Sequence, residues 1–140
     1  MYTAILVPTD GSKAARRAAE HAVALAAEHG ATVHALYAVD MGAVDFVAVP
    51  SDIGESGGRM RAKGEKFVGE VAELAESAGV DCLTVVKKGS PEDVIARYVA
   101  EGSIDLVVMG KRGRGDPDKP LFGSTTKRVI GRVDVPVQTL

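Results

Sequence analysis

The chain has 140 residues, the length of one ordinary domain and enough to bury a core of its own. Apolar residues make up 46% of it; twenty are Ala and twenty Val, while Phe and Tyr contribute three each and Trp none, so helices and sheet must pack closely on small side chains. A charged fraction of 26% and a net charge of −2 exclude a disordered chain and a uniformly basic nucleic-acid coat, and one cysteine, Cys82, leaves no intrachain disulfide.

In chain order, residues 3–8 are an almost continuous apolar run, as expected of a strand buried on both faces. Asp10-Gly11-Ser12 breaks the run, with Ser12 placed to cap a helix over 13–29. There Ala15, Ala18, Ala22, Leu25 and Ala26 recur at helical spacing, and Gly30 ends it. A second strand is predicted over 32–39, a helix over 59–78 with Phe67, Val71, Leu74 and Ala78 inward, and a third strand over 81–87. Ser90-Pro91-Glu92-Asp93 reads as N-cap, first-turn proline and acidic first turn of a helix burying Val94, Ile95, Tyr98 and Val99. A fourth strand over 104–109 and a fifth over 135–140 flank a glycine-rich loop and a helix over 123–132, with Val129, Ile130 and Val133 apolar. This alternation predicts a single α/β domain over 1–140, an open five-stranded parallel sheet with helices on both faces.

The connection from 40 to 58 is long for such a fold and carries Val44, Phe46, Val47, Val49 and Ile53. It is either a surface loop with a short helical turn or a flap over a ligand or partner. The start of the chain shows no basic leader with a cleavage site, and no apolar run approaches membrane-spanning length, so a soluble cytoplasmic domain is expected.

Charge is unevenly distributed. Residues 110–132 carry seven basic side chains against Asp116 and Asp118, an excess of five, while the rest of the chain has seven negative charges in excess. The positive part contains Gly110-Lys111-Arg112-Gly113-Arg114-Gly115 and leads into Gly123-Ser124-Thr125 at a helix start. Glycines admit backbone to close range, and unpaired N–H groups and hydroxyls favour an anion, so this is phosphate-binding chemistry. If the first and fourth strands are neighbours, Asp10 and Gly110 face each other across the crevice where open parallel sheets bind ligands. Gly110-x4-Gly115 is followed by Asp116, which excludes a Walker loop, and Asp10-Gly11-Ser12 is not the dinucleotide fingerprint. Lys87 near the end of the third strand excludes a phospho-acceptor receiver domain, which needs aspartate there.

The spacing Gly110-x2-Gly113-x9-Gly123-Ser124 resembles the universal stress protein family. So do Val7-Pro8-Thr9-Asp10-Gly11-Ser12, Val39-Asp40, Gly89-Ser90-Pro91, Asp105 to Gly110 and Val135-Pro136-Val137, in order along the whole chain. The resemblance implies a fold of the adenine nucleotide alpha hydrolase type with strand order 3-2-1-4-5, a homodimer through the last strand, and the ATP-binding subgroup, since members lacking the glycine pattern generally do not bind ATP. By matching position, Pro8 and Asp10 belong to the site, with Asp10 on adenine and ribose. Ala38 and Val39 border the adenine, Gly110 lies by the ribose, and Gly113, Gly123, Ser124 and Thr125 surround the phosphates. The ligand is ATP, or ADP or AMP, with Mg2+ or Mn2+ held by the phosphates and no dedicated protein metal site. Asp116-Pro117-Asp118-Lys119-Pro120 departs from the small and apolar residues usual there, and its aspartates either repel phosphate or help hold the metal.

Each residue also has a plainer reading. Asp10 serves as a cap, or contacts a ligand. Lys111, Arg112 and Arg114 are solvated loop charges, or contact phosphate; Lys127, Arg128 and Arg132 favour the negative end of the last helix. His21, His29 and His34 have no second ligand at metal spacing, and Cys82 is a small core residue. Function then divides between a nucleotide-binding stress regulator and a weak ATPase or phosphotransferase that autophosphorylates at Ser124 or Thr125. Nucleic-acid binding is disfavoured, since Phe122 is the one aromatic in the basic segment.

Overall fold

The computed structural model describes residues 1–40, 50–111 and 124–140. The elements alternate as β1 (Ala4–Pro8), α1 (Lys13–His29), β2 (Thr32–Val39), α2 (Pro50–Ser77), β3 (Cys82–Lys88), α3 (Pro91–Glu101), β4 (Leu106–Met109), α4 (Ser124–Ile130) and β5 (Val137–Thr139). All four strand pairings are parallel and the sheet order is β3-β2-β1-β4-β5, as expected. The chain therefore steps outward from β1 to β3, then returns to the other side of β1. With right-handed crossovers, that return sends α3 and α4 to the face opposite α1 and α2.

The two cores follow from this. Beneath α1 and α2, Ile5 and Val7 meet Ala18, Ala22 and Ala26 of α1 and Val68, Val71 and Ala75 of α2. Beneath α3 and α4, Leu6 and Leu36 meet Val94, Ile95, Val107 and Val129. Among the described residues no aromatic side chain is fully buried, which is how a core of Ala and Val closes without large wedges.

Helix α1 begins as the sequence predicts. Ser12 is extended, and its hydroxyl accepts the Ala15 N–H at 3.1 Å. Gly30 ends the helix in the left-handed conformation at φ 69°. Ser90 takes the N-cap position of α3 with Pro91 behind it, but its hydroxyl donates to Asp93 Oδ2 at 2.8 Å and caps no backbone N–H.

Helix α2 departs from expectation. It starts at Pro50, not near residue 59, so helix occupies much of the predicted loop over 40–58. Pro50 is a good first helical residue, while Gly54, Gly57 and Gly58 lower helix propensity and hide this turn from a sequence reading. Residues 41–49, on which the choice between loop and flap falls, lie outside the described residues. The inward line of α2 is Gly64-Val68-Val71-Ala75, while Phe67 and Leu74 are half-buried at its side and Ala78 is exposed. Ile130 of α4, expected inward, is 45% exposed; Val129 is the buried one. Among the described residues, no helix is long and apolar enough to cross a membrane.

Candidate functional site

The sheet order puts the reversal in strand order, the point where successive strands stop adding to one side and start adding to the other, between β1 and β4. The outgoing connection of β1 turns toward one helical layer and that of β4 toward the other, the arrangement at which open parallel sheets form a ligand crevice at the carboxyl ends of the strands. Ile5 pairs with Leu106 and Leu6 with Val107, so continuing the register sets Pro8 beside Met109 and Thr9 beside Gly110.

The β1–α1 turn is built by its own short polar side chains. The Gly11 N–H donates to Thr9 Oγ1 at 3.1 Å, and the Ser12 N–H donates to Asp10 Oδ1 at 2.9 Å. Gly11 has φ +79°, and a Cβ there would stand 2.4 Å from Phe67 Cζ, so α2 lies directly on the turn that carries Asp10. Next to it, Gly64 of α2 faces Tyr37 at the end of β2; a Cβ on Gly64 would stand 2.2 Å from Tyr37 Cδ1. The rings of Tyr37 and Phe67 lie 6.0 Å apart, centre to centre, at a tilt of 59°. Two glycines, each seating one ring, thus bring α2 down on the ends of β1 and β2.

Across the crevice, Gly110 ends β4. A Cβ there would meet Ala14 Cβ at 2.8 Å and the Ala14 carbonyl carbon at 2.9 Å, so the first turn of α1 already occupies the space beside it. Packing by itself accounts for glycine at 110. The Gly110 carbonyl accepts the hydroxyl of Thr126 at 3.0 Å, and Thr126 is 3% exposed. On the other side, the Lys111 N–H donates to the Leu140 carbonyl at 2.8 Å, and the Leu140 N–H to the Met109 carbonyl at 3.1 Å. The end of β4 is therefore held by α1, α4 and the β5 end together.

Of the residues singled out in the sequence, Pro8 ends β1 and Asp10 lies in the turn after it, Gly110 and Lys111 follow the end of neighbouring β4, and Ser124 and Thr125 open α4 immediately before the Thr126 anchor. Ala38 and Val39 close β2, one strand away; the Val39 side chain is buried and its carbonyl accepts the Gly89 N–H at 3.0 Å. Gly113, Gly123, Arg112 and Arg114 lie outside the described residues. Thr126 was missed by the sequence reading, although it falls on the helical spacing of Val129 and Val133 and so on the buried face of α4.

The positive segment is more structural than its charge count suggests. Arg128 reaches Glu92 of α3 at 3.1 Å, and Arg132 pairs with Asp93. The hydrogen bond from Arg132 holds the Asp93 carboxyl below the usual carboxylate range, aided by the Ser90 hydroxyl. Two of the seven cations thus join α4 and the turn after it to the first turn of α3. Asp105, part of the family-like stretch before Gly110, works at the opposite end of the strands. Its carboxylate accepts the Thr3 N–H at 2.8 Å, the Thr3 hydroxyl at 3.1 Å and the Ala4 N–H at 3.2 Å, joining the starts of β1 and β4. Partial burial pushes its pKa up, but these bonds outweigh it and the net shift is down.

The histidines take local roles. His34 Nδ1 meets the Tyr98 hydroxyl at 2.7 Å, with burial lowering the His34 pKa and raising that of Tyr98. His29 Nδ1 accepts the Tyr2 N–H at 3.4 Å. Cys82 packs half-buried at the edge of the core, and burial pushes its thiol pKa up. A separate groove of about 520 Å3 runs between α1 and α2, with Lys13 and Arg16 on one wall and Glu70 and Glu73 on the other. It shares the β1–α1 turn with the crevice through Thr9, Gly11 and Ser12, but not Asp10 or Gly110.

The universal stress protein family model matches residues 1–139. The chain belongs to the universal stress protein family. Universal stress protein MJ0531 of Methanocaldococcus jannaschii is 34% identical over 142 residues, covering 98% of this chain and 81% of that relative. Among solved structures, universal stress protein UspA from Lactobacillus plantarum is similar with a TM-score of 0.91 at 30% identity, covering 99% of this chain and 97% of that one. A universal stress protein solved in complex with cAMP is similar with a TM-score of 0.75 at 25% identity, again covering 99% and 97%.

Proposed function

We propose that this universal stress protein binds an adenine nucleotide, ATP with its Mg2+ or Mn2+, across the carboxyl ends of β1 and β4, and acts as a regulator with no dedicated catalytic step. The observation that carries this reading is the junction at Gly110. The end of β4 touches the first turn of α1 at Ala14 and the first turn of α4 through Thr126, which supports a site lying between the Asp10 turn and the Ser124–Thr125 turn. Asp10 is oriented by the Ser12 N–H and suits the hydrogen-bond donors of a ribose or an adenine amine. Hydroxyls and backbone N–H groups of residues 124 and 125, with Lys111 at the rim, suit phosphate oxygens, and the phosphates carry the metal ion. Gly113 and Gly123 complete that set by their place in the family pattern. The relative solved with cAMP supports adenine nucleotides as the ligand class.

The same reading includes a homodimer along the open edge of β5, a strand paired on one side with β4. Light scattering of the purified protein at twice the monomer mass is the expected result.

The decisive experiment is to denature the purified protein and identify released nucleotide by mass spectrometry, then titrate the stripped protein with ATP by calorimetry. ATP binding that is lost in Gly113→Val, with the fold intact by circular dichroism, is expected. Unchanged ATP affinity in that variant overturns the assignment of the site. Steady phosphate release that disappears in Asp116→Asn, Asp118→Asn would replace the regulatory reading with an enzymatic one.

A further inference from the structure

Helix α4 has seven residues, Ser124–Ile130, too short to persist by its own hydrogen bonds. Its position comes from what holds it. Val129 is fully buried among the residues of the second core, and Arg128 reaches Glu92. Those contacts fix the middle and end of the helix. At its start, one side chain does the equivalent work. Thr126 is the buried polar residue of the described chain, and its hydroxyl reaches past its own helix to the Gly110 carbonyl, sixteen residues earlier. Threonine hydroxyls inside helices commonly bond back to a carbonyl in the preceding turn; this one is used to join two elements.

The Gly110 carbonyl is otherwise at the point where β4 stops. Beyond it the ladder continues through the Lys111 N–H to Leu140, on the β5 side. On the α4 side, Thr126 supplies its hydrogen bond. Among the described residues, this bond ties the 110 carbonyl to the first turn of α4, while Arg128 and Val129 act further along the helix.

We infer that Thr126 is a positioning residue for the phosphate half of the nucleotide site: its hydroxyl sets the distance between Gly110–Lys111 and Ser124–Thr125, without itself touching the ligand. The inference rests on the nucleotide reading above. It adds that the adenine and phosphate halves are built by separate devices. Asp10 is oriented within its own turn by the Ser12 N–H, and that turn is packed under Phe67 of α2 at Gly11, whereas Ser124 and Thr125 depend on the Thr126–Gly110 bond. Loss of the hydroxyl therefore weakens ATP selectively and leaves adenosine alone.

The test measures ATP and adenosine affinity by calorimetry on the full chain for wild type, Thr126→Val and Thr126→Ser. Val keeps the β-branched shape and removes the donor; Ser restores the donor on a smaller side chain. ATP affinity is expected to fall about tenfold in Thr126→Val, as for one lost hydrogen bond, with adenosine within about twofold of wild type. Thr126→Ser should recover most of the ATP affinity. A general loosening of the fold would lower both ligands together, and that result, or no change in either, overturns the inference. If Thr126→Val does not fold, Thr126→Cys, a weaker donor on a small side chain, takes its place in the same comparison. A wild-type protein that binds neither ligand, or binds adenosine as tightly as ATP, overturns the nucleotide reading itself, and one whose preference for ATP survives intact in Thr126→Val overturns the role of Thr126 alone.

Discussion

Gly11→Ala isolates the contact between the β1–α1 turn and α2. Two separate penalties are built into the position. The backbone sits at φ +79°, where an L-residue costs about 1–2 kcal/mol. The new methyl would also stand 2.4 Å from the Phe67 ring, so ring or turn must move, at the roughly 1–3 kcal/mol typical of overpacking. Reduced freedom of the unfolded chain returns about 0.4–1 kcal/mol. The net loss is about 1–4.5 kcal/mol, a large share of the roughly 5–15 kcal/mol that holds a domain together. It should appear as a fall in Tm of about 5–15 °C. Urea unfolding of wild type, Gly11→Ala, Phe67→Ala and the double variant separates the two penalties. With the ring gone only the backbone penalty remains, so the two substitutions should couple by about 1–3 kcal/mol. Effects that add to within about 0.5 kcal/mol would refute the contact, because distant sites add in that way. Full stability in Gly11→Ala would refute the left-handed turn as well.

Three further outcomes follow from the same contacts. Asp105 has a lowered pKa in the fold, so its contribution is complete above its unfolded value and is lost as pH falls through the folded one; the urea midpoint of the wild type should drop between about pH 5 and 3 more steeply than that of Asp105→Asn, and parallel curves would contradict the role given to its three hydrogen bonds. Arg128→Gln and Arg132→Gln should leave ATP affinity within about twofold, since both side chains are engaged with α3, whereas Lys111→Gln at the crevice rim should weaken ATP several-fold at low salt; the reverse order would return the two arginines to the ligand. Gly64→Ala gains about 1 kcal/mol of helix propensity but places a Cβ 2.2 Å from Tyr37 Cδ1, and thermal melts should show a net loss that Tyr37→Ala relieves.

The charge distribution shows how a sequence signal can be sound and still overcount. Seven cations in residues 110–132 pointed to an anion, and the glycine spacing made that a phosphate. Arg128 and Arg132 belong to that count but pair with the acidic first turn of α3, thirty-six and thirty-nine residues away in sequence. No local pattern connects those positions. In the same way Asp105 belongs to a family-like stretch that ends at Gly110, yet it serves the amino ends of the strands, because a strand runs from one end of the sheet to the other.

What the sequence by itself determined is whatever depends on neighbours along the chain. Apolar runs marked the buried strands, helical spacing marked α1 and α3, Ser12 and Gly30 marked the ends of α1, and the alternation of elements implied a parallel sheet. Tertiary structure alone decided the start of α2 under three glycines, the rotation of its inward face to Val68, and the meeting of Gly11 with Phe67 and of Gly64 with Tyr37. It also decided that Gly110 is glycine on account of Ala14 and that Thr126 holds the end of β4. The physical reason is the same in each case. A contact between residues far apart in sequence leaves no period or spacing to read, and in a core of Ala and Val the fit depends on where backbone and rings come within a few ångströms, which side-chain chemistry does not encode.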